Sequence, residues 1–274
     1  LFSASPDVVG EIWKMDKWAP DVVKKNIIQN SIYGVDIEKG AVDIARLRFW
    51  LSLIIDEPEP HSLPNLDYKI VVGNSLVCKF DGEIVEIDWN RLQNTGEAHK
   101  YVSLIKPQVT NLASKQRDYF DPNNKNKKQL ASEIRVLKIE LLINQLSFNK
   151  ELYISKTVQK GGFMPLASDI KYNTERELQI QAFDKLITKL KYLLKNPNEP
   201  FKHFDWNLDF PEVLNPYFTN DKGGFDIVIA NPPYIKEYTN RSAFDGFRQS
   251  EYYRGKMDIW YGFACKMLDL LKPK

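Results

Sequence analysis

The chain alternates between short, continuous apolar runs and one long stretch whose apolar positions repeat at helical spacing. Residues 32–37, 68–72 and 225–230 have the length and β-branched content of buried parallel strands. The first is followed by a predicted helix over residues 39–55, with Val42, Leu47, Leu51 and Ile54 placed to face a sheet and Pro58 beyond its end. The third is bounded by Gly223-Gly224 and by Pro232-Pro233, which stop it because proline donates no N–H and restricts the residue before it. Residues 80–89 alternate only loosely: Val85, Ile87 and Trp89 would share one face, but Ile84 breaks the pattern, so a small edge element is expected.

Between residues 97 and 195 the period changes. Leu130, Ile134, Leu137, Leu141 and Leu142 form one apolar stripe, and Phe183, Leu186, Ile187, Leu190 and Leu194 form another. Thr174 with Glu177 has the spacing of a capping box at the start of the second helix. Two helices of this length pair best as an antiparallel hairpin projecting from the sheet region. Their lysines, among them Lys125, Lys127, Lys128, Lys185, Lys189, Lys191 and Lys195, are interspersed with acids and read better as solvated faces than as phosphate contacts. The order strand–helix–strand, helices, strand–loop–helix predicts an α/β protein. Residues 1–89 and 201–274 would form the two parts of its core, and residues 90–200 a helical insertion.

Composition narrows this little. A 274-residue chain with 43% hydrophobic and 27% charged residues can bury a core. Its net charge of +2 is too small to argue for a nucleic-acid partner, so any basic surface must be local. Cys78 and Cys265 are distant singles, and His61, His99 and His203 are scattered; no metal site and a reduced, cytoplasmic setting are expected. The run from Trp50 to Ile55 is far too short to span a membrane, and the first residues show no signal-peptide design.

Candidate chemistry sits at strand ends. Asn231, Pro232, Pro233 and Tyr234 follow the third apolar run, at the carboxyl end of a strand, where open α/β sheets place their ligands. The amide oxygen of Asn231 and the carbonyl of Pro232 can accept both hydrogens of an exocyclic amine, and Tyr234 can stack on its ring. The plainer alternative is a proline-terminated strand with Tyr234 as a packing residue. Asp36 closes the first strand, where a carboxylate commonly accepts from ribose hydroxyls, and Ile37 beside it can lie against an adenine face. Asp36 is equally placed to cap the helix that follows.

The Asn231–Tyr234 motif resembles the catalytic motif of the amino-group DNA methyltransferases, especially the adenine-N6 enzymes. Residues 204–213 with 223–228, joined by 32–51 and 68–76, resemble the methyltransferase regions of type IIG restriction–modification enzymes and their phage-defence relatives. The resemblance covers residues 26–76 and 204–274 well, and 90–200 only by position and helical character. It implies a partial Rossmann-like methyltransferase core that uses S-adenosylmethionine and acts on a flipped adenine in double-stranded DNA. Asp36 and Ile37 match the family's ribose acid and its apolar neighbour. Asn74 occupies the position that meets the adenine amine of the cofactor, and Phe263 matches the aromatic closing that pocket, although its spacing is also that of a core helix residue.

The family's glycine-rich turn should precede Asp36 by one helix, but residues 1–31 contain only Gly10. A further strand normally follows residues 270–273, and no segment resembles a target-recognition domain. The resemblance therefore implies an internal piece of a larger enzyme, reaching DNA through N- and C-terminal parts of the same polypeptide. On its own the chain is expected to be inactive, to bind cofactor weakly, and to be cut by protease near Gly161-Gly162 and Asn196-Pro197. The motif alone leaves cytosine-N4 open as the methylated position. Two further alternatives are a non-catalytic DNA-positioning module derived from a methyltransferase, and a nicotinamide-dependent dehydrogenase. The second needs a Gly-x-Gly-x-x-Gly turn that is absent.

Overall fold

The computed structural model describes residues 20–55, 62–85, 89, 99–155, 167–220 and 223–273. Helix α1 (Pro20–Ser31) leads into strand β1 (Gly34–Asp36), helix α2 (Lys39–Ile54) and strand β2 (Ile70–Val72). The two strands pair in parallel, with Gly34 opposite Ile70 and Asp36 opposite Val72. Gly34 N–H donates to Lys69 O and Gly73 N–H donates to Asp36 O, so the peptide groups of Val35 point to the other edge of β1. No described strand occupies that edge.

Both strands and α2 stand where the apolar pattern put them, but the buried face of α2 differs. Val42 and Leu53 are sealed, with Ala45, Phe49 and Trp50 packed beside them, whereas Leu47, Leu51 and Ile54 are exposed. The helix is apolar on more than one side, so its periodicity did not single out the side that the neighbours cover. Arg46, on the buried side, donates to Ile70 O and pairs with Asp67 at 2.8 Å, tying α2 to the start of β2.

Residues 79–84 form a two-residue hairpin, β3 (Lys79–Phe80) and β4 (Glu83–Ile84), around Asp81 and Gly82 with φ of 52° and 82°. Two consecutive positive φ values are the signature of the tight hairpin turn that Asp-Gly favours. That dipeptide was the signal which loose alternation obscured. Val85 and Trp89, expected on one face, are both buried; Ile87 lies outside the described residues.

Among the described residues the helical region holds three long helices rather than a hairpin of two: α3 (His99–Phe120), α4 (Lys127–Ser155) and α5 (Ala167–Lys195). Both predicted stripes face inward, with Ile134, Leu141, Leu142 and Leu190 sealed most completely. The unforeseen helix α3 adds Ile105, Val109 and Leu112. Pro107 interrupts its sequence, which masked a regular apolar spacing. Thr174 lies well inside α5, which already begins at Ala167, so it caps nothing at that start. Nor does this unit project freely. Phe80, Val85, Trp89, Leu208 and Tyr217 belong to the same buried cluster as α3, α4 and α5. Of the two expected cleavage junctions, Gly161-Gly162 lies outside the described residues.

Residues 204–219 fold into three single-turn helices, α6 (Trp206–Asp209), α7 (Pro211–Leu214) and α8 (Pro216–Thr219). Asp205 caps α6 by accepting from Asn207 N and Leu208 N, and Asn215 caps α8 by accepting from Tyr217 N. This segment clasps the strands to the helices. Trp206 Nε1 donates to Ser75 O, Tyr33 and Lys69 donate to Glu212, and Lys138 of α4 pairs with Asp209 at 2.6 Å. Gly73 is required there: a Cβ on it would lie 2.3 Å from Cγ of Phe204.

The predicted strand over 225–230 is the main departure. Only Phe225 is bridged, in parallel to Leu271 after helix α9 (Trp260–Leu270), while Ile227 and Ile229 are 57% and 88% exposed. Extended chain gains ladder hydrogen bonds only beside another strand, and no described strand pairs with residues 226–230.

Candidate active site

The β1–β2 register sets Asp36 level with Val72, so Asp36, Ile37 and, two residues beyond Val72, Asn74 come together at the carboxyl ends of the two strands. Asp36 does not cap α2; the cap position is Glu38, whose own side chain makes no capping bond. Oδ1 of Asp36 accepts from Glu38 N at 2.8 Å, and the side chain is otherwise exposed. Ile37 is 65% exposed beside it. Asn74 turns its amide oxygen back on its own loop, accepting from Leu76 N at 2.9 Å and Val77 N at 3.0 Å, which leaves its NH2 group as the donor it can offer.

Phe263 lies in α9, half-buried against the cluster of Val77, Phe244, Phe247 and Ile259, with Leu76 in the same group. The structure thus carries Phe263 to the loop that follows Asn74. A cavity of about 570 Å³ opens there, lined by Asn74, Leu76, Trp206, Phe247 and Tyr252. Asp36, Ile37 and Phe263 are not among its walls.

Asn231, Pro233 and Tyr234 are exposed and Pro232 half-buried. What fixes the motif lies immediately after it: Ile259 N donates to Ile235 O at 2.9 Å and Glu237 N donates to Met257 O at 3.2 Å, around an antiparallel bridge between Lys236 and Asp258. The chain leaving Tyr234 is therefore bound to the chain entering α9.

Glu237, which the sequence did not single out, is the hub of this loop. Its carboxylate accepts from Arg248 Nε at 2.8 Å, from Tyr253 OH at 2.7 Å and from Lys256 N at 3.0 Å. The hydrogen bond from Arg248 is the largest influence holding its pKa below the ordinary carboxylate range. Arg248 also reaches Asp245 and Arg241 O, so one ion network spans residues 237–256. No local spacing could have revealed Glu237 as the hub, since the groups that donate to it lie 11 to 19 residues away.

Among the described residues no group of His, Cys, Asp and Glu is arranged to hold a metal ion, and no helix is long and apolar enough to cross a membrane. With a parallel strand pair ending in an acid and an Asn-Pro-Pro-Tyr loop pinned beside the final helix, the chain falls in the class of restriction-modification methylases. It belongs to the Eco57I restriction-modification methylase family, which it matches over residues 30–274. It is also 26% identical, over 245 aligned positions, to a protein of Methanocaldococcus jannaschii that carries the designation of a type II restriction enzyme and methyltransferase. That alignment takes in 77% of this chain and 18% of the relative, so the chain spans under a fifth of the curated relative's length. No solved structure matches the chain.

Proposed function

We propose that this chain is the methylating part of a type IIG restriction–modification enzyme that transfers a methyl group from S-adenosylmethionine to the exocyclic nitrogen of adenine in double-stranded DNA. The observation that carries this is the Asn231–Tyr234 loop: an amide, a proline carbonyl and a tyrosine ring offered to solvent from a backbone tied down directly behind them. Tyr234 is 85% exposed. A ring left so open on a pinned loop suits a flat partner that arrives from outside, as a flipped base does.

The donors and acceptors at the strand ends fit the adenosine half of the cofactor. Asp36 has a carboxylate oxygen to spare for a ribose diol, Ile37 supplies apolar cover, and Asn74 has an NH2 group to give a ring nitrogen. Phe263, packed from α9 in the same cluster as Leu76, would supply aromatic cover on that side. The NH2 of Asn74 donates, so it meets an acceptor atom of adenine rather than its amine. S-adenosylmethionine, when bound, supplies a methyl carbon made electrophilic by its positive sulfonium. The chain's own task is to present the nucleophile. Asn231 Oδ1 and Pro232 O accept the two amine hydrogens, Pro233 holds the turn, and Tyr234 stacks on the base. The nitrogen lone pair is then freed from the ring and oriented, and positioning supplies most of the rate.

The setting this implies is cytoplasmic, with DNA reached through the whole protein. Digestion of DNA methylated by the full-length protein, followed by nucleoside mass spectrometry, is the test. N6-methyladenine is the expected product. N4-methylcytosine would overturn the choice of base, and the absence of any methylated nucleoside would overturn the reaction.

A further inference from the structure

Residues 234–238 alternate in depth. Tyr234, Lys236 and Tyr238 face outward, the two tyrosines at 85% and 78% exposure, while Ile235 and Glu237 turn inward. Ile235 packs on Phe244, Phe247 and Ile259, and Glu237 is gripped by Arg248, Tyr253 and Lys256 N. This is the period of a strand, and the pairing with residues 257–259 makes it one locally. The result is a rigid comb in which a lysine alternates with two exposed tyrosines, with Lys236 Nζ 5.9 Å from the Tyr238 ring centre.

Large apolar faces held in water on a fixed backbone mark a binding surface rather than a packing defect. The charge around them identifies the partner. Lys236, Arg241 and Lys256 are exposed, and none has an acidic partner among the described residues. Of the acids nearby, Glu237 and Asp245 are engaged by Arg248 and Asp269 by Tyr252, while Asp258 stands opposite Lys236 in the bridge without forming an ion pair with it. Free cations interleaved with aromatic faces match the backbone and bases of a nucleic-acid strand, the phosphates meeting the cations and the base faces the rings.

We propose that Tyr238 and Lys236 hold the DNA strand carrying the target base, Tyr238 stacking on a base beside the flipped one and Lys236 meeting a backbone phosphate. Arg241 and Lys256 extend the cationic border, and Glu237 is the positioning residue that keeps the comb in line. The placement next to a flipped base rests on the methyltransferase reading given above; the binding of nucleic acid by this surface does not.

The test is fluorescence anisotropy of the full-length protein with a labelled single-stranded oligonucleotide of mixed sequence, and with an abasic strand of equal length. Tyr238→Ala should weaken binding to the base-bearing strand about tenfold, by the usual worth of a stacked base, and leave the abasic strand unaffected. Tyr238→Phe should restore it. Lys236→Ala should weaken both strands and lower the salt dependence by about one counterion. Lys128→Ala, on the exposed face of α4, should change neither. Melting temperatures of all four variants should match the parent, since these side chains are exposed. Unchanged binding in Tyr238→Ala and Lys236→Ala, or an equal loss in Lys128→Ala, would overturn the proposal. Absence of methylation with these effects intact would count against the reaction and leave the surface standing.

Discussion

Residues 204–214 and residues 225–234 both stand out in the sequence, and the fold treats them in opposite ways. The first segment is rich in acids and aromatics and is almost wholly buried: Phe204, Asp205, Leu208, Asp209 and Phe210 each keep 7% or less of their surface. Most of its polar groups are spent on the protein itself, joining β1, β2, α3 and α4, with Oε2 of Glu212 the buried exception among the described residues. The second segment is apolar, yet its isoleucines are exposed and its tether is confined to Phe225 and an exposed ion pair between Lys272 and Asp226. A segment rich in ionisable residues thus builds the scaffold, and a segment with one amide and a single charge, itself ion-paired, holds the candidate for chemistry. Hydrogen-bond accounting separates the two: a group already satisfied inside the protein is not available to a substrate.

The largest expected effect lies in the clasp. Lys138 and Asp209 have side-chain exposures of 9% and 6%, and Lys138 also stands 5.4 Å from the ring centre of Tyr68. Asp209→Ala strands a buried ammonium and should cost about 3–5 kcal/mol in urea unfolding. Pairing it with Lys138→Met should recover most of that, because the charge left behind, rather than the lost attraction, makes the single change severe. An additive double variant would show that the pair does not act as a unit.

The buried segment also carries a pH response. Burial pushes the Asp205 carboxyl up to about 6, against two capping N–H bonds that favour its ionised form. Burial likewise pushes His203, whose Nε2 lies 3.2 Å from Cys78 Sγ, down to about 4. Between the ordinary carboxylate value of 3.8 and about 6 the folded chain holds a proton on Asp205 that the unfolded chain has released, so this group takes stability away as pH rises. Between about 4 and 6.5 the unfolded chain holds a proton on His203 that the folded chain does not, so that group adds stability as pH rises. The two oppose each other across much of the same window. Asp205→Asn keeps a capping oxygen, removes one of the two opposing contributions, and should convert a shallow pH profile into stability that falls steadily from pH 6.5 to 4 in thermal melts. A profile that stays shallow in the variant would contradict this.

How much of this was legible beforehand follows from the distance over which each feature is decided. The strands at Gly34–Asp36 and Ile70–Val72, the helix between them, and the stripes through Leu141 and Leu190 are local patterns, and they stand where periodicity put them. The exposure of Leu47 and Ile229 depends on what lies beside them, which no local pattern encodes. Asp36 was visible as a strand-end residue, whereas Asn231 stood out by its motif alone, since the strand expected before it does not form. Glu237 and the clasp acids were not assigned their roles, because Arg248, Lys69 and Lys138 reach them from 11, 143 and 71 residues away.

Smaller effects belong to the exposed segment. Ile229→Ser removes an isoleucine that is 88% exposed and touches no buried cluster, so stability should change by no more than about 0.5 kcal/mol. A loss above about 2 kcal/mol would mean that residues 225–230 are covered in solution and belong to the scaffold.

The exposed loop is expected to perform the chemistry while contributing little to the fold. Asn231→Ala in the full-length protein tests it directly, with methyl incorporation into DNA, S-adenosylmethionine affinity and melting temperature measured on the same preparation. Methylation should be abolished while affinity for the cofactor and the melting temperature stay at parent values. Methyl transfer at an undiminished rate in that variant would contradict it.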